Sequence, residues 1–222
     1  MRLGLYGKLP MKRDFVAHDV PRTVLAAVEP WLQGGLAASR ARLAEGWREA
    51  YLRAPLWRFW LGADICGAPV LGVLMPSVDG IGRYFPLALF AIADRGEALP
   101  PPEVDAHAPW CAAAEALLLS ALDERATFEA LTARLATLPF LGAEPPPEDA
   151  PDALALPLAL GFPAILDQAR RADPARHAAA LAVFWTQGGE GFAPRAVVAH
   201  RMPRPDLFAS LLTGEFPGGA PC

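Results

Sequence analysis

The strongest constraint on the fold is the segment at residues 84–93, which is apolar at nearly every position. A strand with one solvated face alternates apolar and polar side chains, whereas a strand covered on both faces is apolar throughout. The segment therefore predicts a strand buried on both sides. Two more strand-like runs precede it at residues 57–61 and 70–75, and Asp79 with Gly80 supplies a hairpin signal before residue 84. We expect these three strands to form an antiparallel unit.

Further strand-like runs stand towards both ends of the chain, at residues 3–7, 178–185 and 195–199. Helical periodicity fills much of the intervening sequence, from residue 21 to 47 and again, as two helices, after Pro100. Pro30 lies inside the first pattern and is expected to break or restart that helix. Because isolated strand pairs are only marginally stable, one shared sheet is favoured. We predict a single α/β domain over residues 1–222, a three-layer α/β/α sandwich around a mixed, largely antiparallel sheet.

Two segments are expected to lie outside this packed domain. Residues 142–157 hold a run of three prolines and several acidic side chains, a composition that buries too little apolar area to fix its own conformation. They predict a mobile surface loop. Residues 214–222 are expected to form a flexible tail, since chain ends with small residues and prolines are seldom held down.

Charge and cysteine usage exclude several classes of function. With a formal charge of -4, the chain lacks the excess of basic residues with which nucleic-acid-binding proteins contact phosphate groups. The three cysteines, Cys66, Cys111 and Cys222, are far apart and have no histidine at metal-ligand spacing, so neither structural zinc nor a disulfide framework is expected. No apolar stretch reaches the roughly 20 residues of a membrane-spanning helix, and no signal peptide is visible. We expect a cytoplasmic protein without metal or cofactor, binding no nucleic acid and inserting into no membrane.

Two motifs carry most of the polar chemistry. The first is GKLP at residues 7–10, continuing to DFV at 14–16, and the second is PSVDGIGRYFPL at 76–87. In each motif, glycine, proline and charged residues directly adjoin a strand-like run. Loops that adjoin rigid strands in this way are where proteins often present polar groups to another molecule. The first lacks the spacing of a phosphate-binding loop, and the second lacks the third glycine of a dinucleotide fingerprint. A recognition module is therefore favoured over an enzyme.

Seven residues of these motifs are the candidate partner-binding site: Lys8, Asp14, Phe15, Ser77, Asp79, Arg83 and Tyr84. Asp79 and Arg83 flank a tight turn, so they either pair across it and fix the loop or leave Arg83 free to bind a carboxylate or phosphate of a partner. Ser77 keeps open a small hydrolase or phosphatase with a histidine base, although it is not in a Gly-x-Ser-x-Gly elbow. A pocket that senses a phosphorylated ligand through Ser77 and Arg83 is a third alternative.

With these residues in view, the chain resembles the TagF family of type VI secretion-associated proteins. The resemblance is carried by GKLP at 7–10, DFV at 14–16, WL at 31–32, WRF at 57–59, GVLMPSVD at 72–79 and GRYFPL at 82–87, with a weaker echo in FWT at 184–186 and MP at 202–203. It extends over nearly the whole chain and is strongest in residues 4–92.

The resemblance implies a non-catalytic, cytosolic negative regulator of type VI secretion that acts after translation. Such a protein would bind a forkhead-associated-domain component and restrain assembly of the apparatus. The family fold is similar to an α/β/α sandwich. One departure concerns Arg13, which stands where the family usually has glycine. If that position requires a positive φ angle, arginine would strain the loop that carries Asp14.

Overall fold

One seven-stranded sheet forms the centre of the molecule. The structure is a computed structural model that describes residues 1–139, 141 and 155–216. Its strands are β1 (Arg2–Gly7), β2 (Val16–His18), β3 (Trp57–Leu61), β4 (Val70–Met75), β5 (Leu87–Ile92), β6 (Leu181–Thr186) and β7 (Arg195–His200). Their order across the sheet is β2-β1-β5-β4-β3-β6-β7. Each of these neighbouring pairs is antiparallel, so the sheet that was predicted to be largely antiparallel is antiparallel throughout its described strands.

Helices occupy the connections between the strands. In the described part of the chain they are α1 (Arg22–Leu43), α2 (Trp47–Arg53), α3 (Ala63–Cys66), α4 (Ala108–Ser120), α5 (Phe128–Leu135), α6 (Phe162–Ala172), α7 (Pro174–His177) and α8 (Leu207–Thr213). Two short 3₁₀ turns stand beside them, Ala44–Gly46 and Leu158–Leu160. The antiparallel unit β3–β4–β5 and the two helices predicted after Pro100 are confirmed.

Two hydrophobic cores lie on opposite faces of the sheet. Successive side chains of a strand point to opposite faces, and all residues of β4 and β5 are buried. Leu74 and Phe90 belong to the core shared with α1, α2 and α8. Val73 and Leu89 belong to the other core, shared with α4 and α5. The predicted three-layer α/β/α arrangement is confirmed.

The predicted break at Pro30 is wrong, because α1 runs through this residue without interruption. A proline removes one backbone hydrogen bond from a helix interior. On both sides of it, however, Val28, Trp31 and Leu32 are buried in the first core, and their burial holds the helix against the sheet. Apolar packing on this face therefore outweighs the local cost of the proline.

Among the short or exposed elements, β2, α3, α6 and α7 were not predicted from the sequence. Of the expected mobile loop, residues 142–154 lie outside the described residues, as do residues 217–222 of the expected tail. The first residues of that tail contact the packed domain. Gly214 closes α8 with a φ of 76°, and the ring of Phe216 packs edge-on against Trp57 with 6.3 Å between ring centroids.

Candidate functional site

The two sequence motifs meet at one end of the sheet. β1 pairs with β5 so that Gly7 lies opposite Leu87, which brings the start of the first motif beside the end of the second. Gly7 has a φ of 133°, and a β-carbon there would collide with the carbonyl oxygen of Pro86. Only glycine permits this close approach of the two strands. The antiparallel register thus joins segments that are about 70 residues apart in the chain.

Asp79 is the centre of a buried charge network. Its Oδ2 lies 2.7 Å from Nζ of Lys8 and 2.7 Å from Nε of Arg83. Its Oδ1 accepts hydrogen bonds from the backbone N–H groups of Ile81 and Arg83, at 3.1 and 2.8 Å. The carbonyl of Asp79 accepts from the N–H of Gly82 at 3.0 Å, which closes a tight turn. The carboxylate therefore organises its own loop and anchors the lysine of the first motif.

These contacts keep Asp79 ionised. Burial by itself would raise the pKa of this carboxyl, because a charge is poorly solvated away from water. Hydrogen bonds from the Lys8 ammonium, from the backbone and side chain of Arg83 and from the N–H of Ile81 outweigh burial, and they hold the pKa far below its ordinary value of 3.8. Asp79 is thus a fixed negative charge between two cations at neutral pH.

Ser77 is committed to the framework of the same corner. Its side chain is buried, and its Oγ donates to the carbonyl oxygen of Lys8 at 2.7 Å. The phenol of Tyr51 donates to the Ser77 carbonyl and accepts from the Ser77 N–H, both at 3.0 Å. A phenol buried in this way has a raised pKa, chiefly because burial disfavours its anion. Hydroxyl, amide and carbonyl of Ser77 are therefore all used to hold the two motifs and α2 together.

Aromatic side chains complete the corner. Phe15 packs edge-on against Phe85 with ring centroids 4.8 Å apart, and it stacks on Tyr6 at 6.1 Å. The Lys8 ammonium lies 5.0 Å from the centroid of the Phe15 ring, a distance at which a cation is attracted to the ring face. Phe15 nevertheless remains 50% exposed. The ring is thus held by three neighbours while half of its surface stays accessible.

The seven predicted residues divide into two groups. Lys8, Ser77 and Asp79 are buried, so they support the corner from within. Asp14, Phe15 and Arg83 are exposed, and Tyr84 is partly buried against Trp47 and Tyr51. All seven therefore lie in the same region, with the lysine beneath the surface and the arginine on it.

Two exposed neighbours were missed in the sequence. Ile81 is 58% exposed at the tip of the turn, where an apolar side chain between two glycines was the available signal. The carbonyl oxygen of Arg13 accepts a hydrogen bond from Nη2 of Arg83. Arg13 is not among the residues with a positive φ, so the strain considered for this position is absent. Arginine fits here without deforming the loop that carries Asp14.

A cavity beside the corner is too small for a small-molecule ligand. This apolar cavity, lined by residues including Tyr51, Trp57 and Pro76, has a volume of about 10 Å³, which is space for about one water molecule. Among residues 1–139, 141 and 155–216, no histidine, cysteine and carboxylate side chains are grouped so as to hold a metal ion. None of the helices in those ranges combines the length and apolar composition that crossing a bilayer requires.

Comparisons with known proteins agree with this architecture. A family model described as the TagF N-terminal domain, type VI secretion system-associated, matches residues 4–138. A solved structure described as the crystal structure of PA0076 from Pseudomonas aeruginosa PAO1 is 32% identical, with a TM-score of 0.79. That match covers 98% of this chain and 100% of the other. Among curated proteins, none matches the chain.

Proposed function

The chain belongs to the TagF family of type VI secretion system-associated proteins, and from that premise we propose that it is a non-catalytic negative regulator of this secretion. It acts after translation, in the cytoplasm, by binding a forkhead-associated-domain component and restraining assembly of the apparatus. The contact surface is the docking corner, which comprises the exposed residues Arg13, Asp14, Phe15, Ile81 and Arg83.

The observation that carries this proposal is the rigid mounting of exposed groups on buried ones. Phe15 and Arg83 project from loops that are bound from below by Lys8 and Asp79. Binding costs less free energy when the contacting side chains are already held in place. Aromatic and arginine side chains are also enriched at the centres of protein interfaces.

The charge of Arg83 indicates what the partner presents. Its Nε and Nη2 are bound to Asp79 and to the Arg13 carbonyl, while its side chain stays 52% exposed. The planar guanidinium is thereby held in one orientation, and its outer edge matches a carboxylate or phosphate group. Phe15 and Ile81 add apolar area beside it. The partner surface that fits this corner combines an anionic group with an apolar contact.

A binding role also accounts for Ser77 better than a catalytic one does. A nucleophilic serine needs an accessible Oγ and a base within hydrogen-bond reach. Here Oγ is buried and donates to a backbone carbonyl, and no histidine donates to it or accepts from it among the described hydrogen bonds. A substrate screen with wild type and Ser77→Ala tests this part, because hydrolytic activity lost in that variant would contradict the proposal.

Calorimetry with the purified forkhead-associated-domain component of the same secretion system tests the binding itself. Ile81→Asp places a charge at the tip of the docking corner and should weaken the complex by about tenfold or more, because a charged group would be desolvated in an apolar contact. Leu122→Asp is the matched control, since Leu122 is similarly exposed, at 50% against 58%, but lies in the turn that follows α4. Equal effects of both changes, or no heat from wild type at high micromolar concentration, would refute the proposal.

A further inference from the structure

The two edges of the sheet differ in length and in protection. β2, beside the docking corner, has three residues, whereas β7 at the opposite edge has six. Proteins usually shield a long edge strand with a proline, a bulge, a charge pointing inwards or a covering element. β7 contains no proline, and its central residues are Ala196, Val197 and Val198. Among the strands that the structure describes, none pairs with its outer side, so β7 is a full-length edge strand.

The hydrogen bonds next to β7 show which of its backbone groups face outwards. In an antiparallel pair, directly opposite residues alternate between hydrogen-bonded and non-bonded positions. The N–H of Arg201 donates to the carbonyl of Ala180, so every second pair from there is bonded: Ala199, Val197 and Arg195 are the residues of β7 that bond to β6. The N–H and C=O groups of Ala196, Val198 and His200 therefore point away from β6.

Within residues 1–139, 141 and 155–216, the face above these three residues is also uncovered. α4 lies over β4 and β5, and the second core ends at partly buried residues of β6, Leu181 and Trp185. Further out, Ala196, Val198 and His200 are exposed, with 62% of Val198 accessible. An incoming strand would find both free backbone groups and an apolar side chain to pack against.

The charge of this edge selects the partner. Between Phe192 and Pro205 the chain carries Arg195, Arg201 and Arg204 together with His200. The same stretch has no aspartate or glutamate, so its formal charge is +3 in a chain whose total is -4. The arginines stand at the two ends of the strand. A complementary segment therefore carries acidic residues on both sides of an uncharged extended centre.

We infer that β7 is a docking edge for an extended segment of another protein, which adds to the sheet as an eighth strand. Its backbone pairs with Ala196, Val198 and His200, and its flanking carboxylates face the arginines at the strand ends. This site is independent of the docking corner, since the two lie at opposite edges of one sheet. The protein can therefore hold two partner segments at once.

Charge also disfavours a second copy of this chain as the occupant. If two copies of β7 paired around a two-fold axis, the residues whose N–H and C=O groups point away from β6 would have to lie opposite each other. The register that pairs all three of them, Ala196, Val198 and His200, is centred on Val198. That register brings Arg195 of each copy near Arg201 of the other, the residue that directly follows β7. Like charges directly opposite each other in neighbouring strands are destabilising. An acidic strand removes this repulsion at both ends.

The inference is tested with synthetic peptides and fluorescence anisotropy. The probe peptide alternates valine with threonine over five positions and carries two glutamates at each end; the control peptide carries lysines there instead. We expect saturable binding of the glutamate peptide and at least about tenfold weaker binding of the lysine peptide. Hydrogen exchange of the amides of Ala196, Val198 and His200 should slow when the glutamate peptide is bound. No binding, or equal binding of the two peptides, overturns the inference.

Two variants locate the site. Val198→Pro removes an outward N–H without removing a bond to β6, and a proline with its nitrogen on the solvent side is tolerated in edge strands. It should abolish binding of the glutamate peptide, whereas Val198→Thr, which keeps the N–H, should retain it. Circular dichroism checks that both fold.

Charge reversal and sedimentation complete the test. Arg201→Glu should reduce binding of the glutamate peptide even if Val198→Pro fails to fold, and Ile81→Asp at the docking corner should leave it unchanged. If sedimentation shows that the wild-type protein is a dimer and that substitutions in β7 make it a monomer, the inference is overturned in favour of self-association.

Discussion

The ammonium of Lys8 lies 2.7 Å from the carboxylate of Asp79, and both side chains are shielded from solvent although 71 positions separate them in the chain. This one contact joins the β1–β2 connection to the β4–β5 connection. Through Asp79 it also reaches Arg83, which lies at the surface. The geometry of the exposed corner thus depends on a buried ion pair beneath it.

The two cations that share Asp79 should differ in their effect on stability. Lys8→Met leaves a buried carboxylate with one partner fewer, and we expect the Tm to fall by roughly 5 to 15 °C, since breaking a buried pair is costly. Arg83→Ala should lower the Tm by only a few degrees, because this side chain is half exposed and water replaces it. Thermal unfolding followed by circular dichroism gives both values. A larger loss for Arg83→Ala would mean that the surface cation is the main support.

Stability at acid pH should depend on Asp79. Its pKa is far below 3.8 in the folded protein, so unfolding takes up a proton once the pH approaches 4. The stabilisation from this group is present above pH 4 and is lost as the pH falls further. Asp79→Asn should therefore be less stable than wild type at pH 7 and lose less stability between pH 4 and pH 2. Urea unfolding across this range measures the difference, and parallel curves for the two proteins would contradict it.

Arg58 and Glu115 should respond unequally to removal of their partner. Two hydrogen bonds of 2.6 and 3.0 Å join β3 to α4, and the bond to Glu115 raises the pKa of the Arg58 guanidinium. Arg58 is 8% exposed and Glu115 is 23% exposed. Glu115→Ala leaves the more deeply buried charge, the Arg58 guanidinium, without its partner and should lower the free energy of unfolding by about 3–5 kcal/mol. Arg58→Met leaves a carboxylate that water can reach, at a cost of about 1–2 kcal/mol.

The double variant is the control for this pair. Arg58→Met with Glu115→Ala removes both charges, so its free energy of unfolding should lie near that of Arg58→Met alone rather than at the sum of the two losses. Chemical denaturation measures all four proteins. Additive losses would show that the two side chains act separately.

Two glycines should tolerate alanine very differently. A β-carbon on Gly72 in β4 would collide with the ring of Phe59 and lie 2.5 Å from the carbonyl oxygen of Leu89. Gly72→Ala should therefore cost about 2 kcal/mol or more through overpacking. Gly46 has φ -74° and ψ -10°, with open space around its α-carbon, so Gly46→Ala should be neutral or stabilise by about 0.4–1 kcal/mol. Denaturant midpoints compare the two variants, and similar values would contradict the close packing at Gly72.

The buried thiols should be unreactive in the folded protein. Burial raises the pKa of Cys66 and of Cys111 from 9.0 to about 12, and only the thiolate reacts with alkylating or disulfide reagents. In Cys222→Ser, which leaves these two thiols alone, labelling at pH 8 should require denaturant. Because both pKa values are higher in the folded protein, the contribution of the protonated thiols to folding stability is fully present below pH 9. It is lost as the pH rises towards 12. Rapid labelling of the folded variant would show that one thiol is accessible.

The fold was largely predictable because the spacing of apolar residues within each short segment indicates whether that segment is a strand or a helix. Residues 84–93 indicated a strand covered on both faces, and β5 is buried at every position. The failure at Pro30 has a tertiary cause, since the burial of Val28 and Trp31 against the sheet holds α1 through the proline. The exposed helix α6 was not predicted from the sequence, and none of its residues is buried.

The site was only partly predictable, for a different reason. The residues of the motifs could be identified, but the sequence alone does not show which of their side chains make internal contacts and which stay exposed. Ser77 and Lys8 looked like surface groups and are buried, while the exposed Ile81 was passed over. The open backbone of β7 was likewise hidden, because its exposure depends on which strand stands last in the sheet.

Local patterns determined the class of the fold, the family resemblance and the two motifs, because apolar spacing, turn residues and short motifs act over a few neighbouring positions. Tertiary structure alone decided that Lys8 and Arg83 share Asp79, that one cation is buried and the other exposed, and that β7 ends the sheet. Those outcomes are set by the pairing register of distant strands, and the free energy of that pairing belongs to no single segment of the chain.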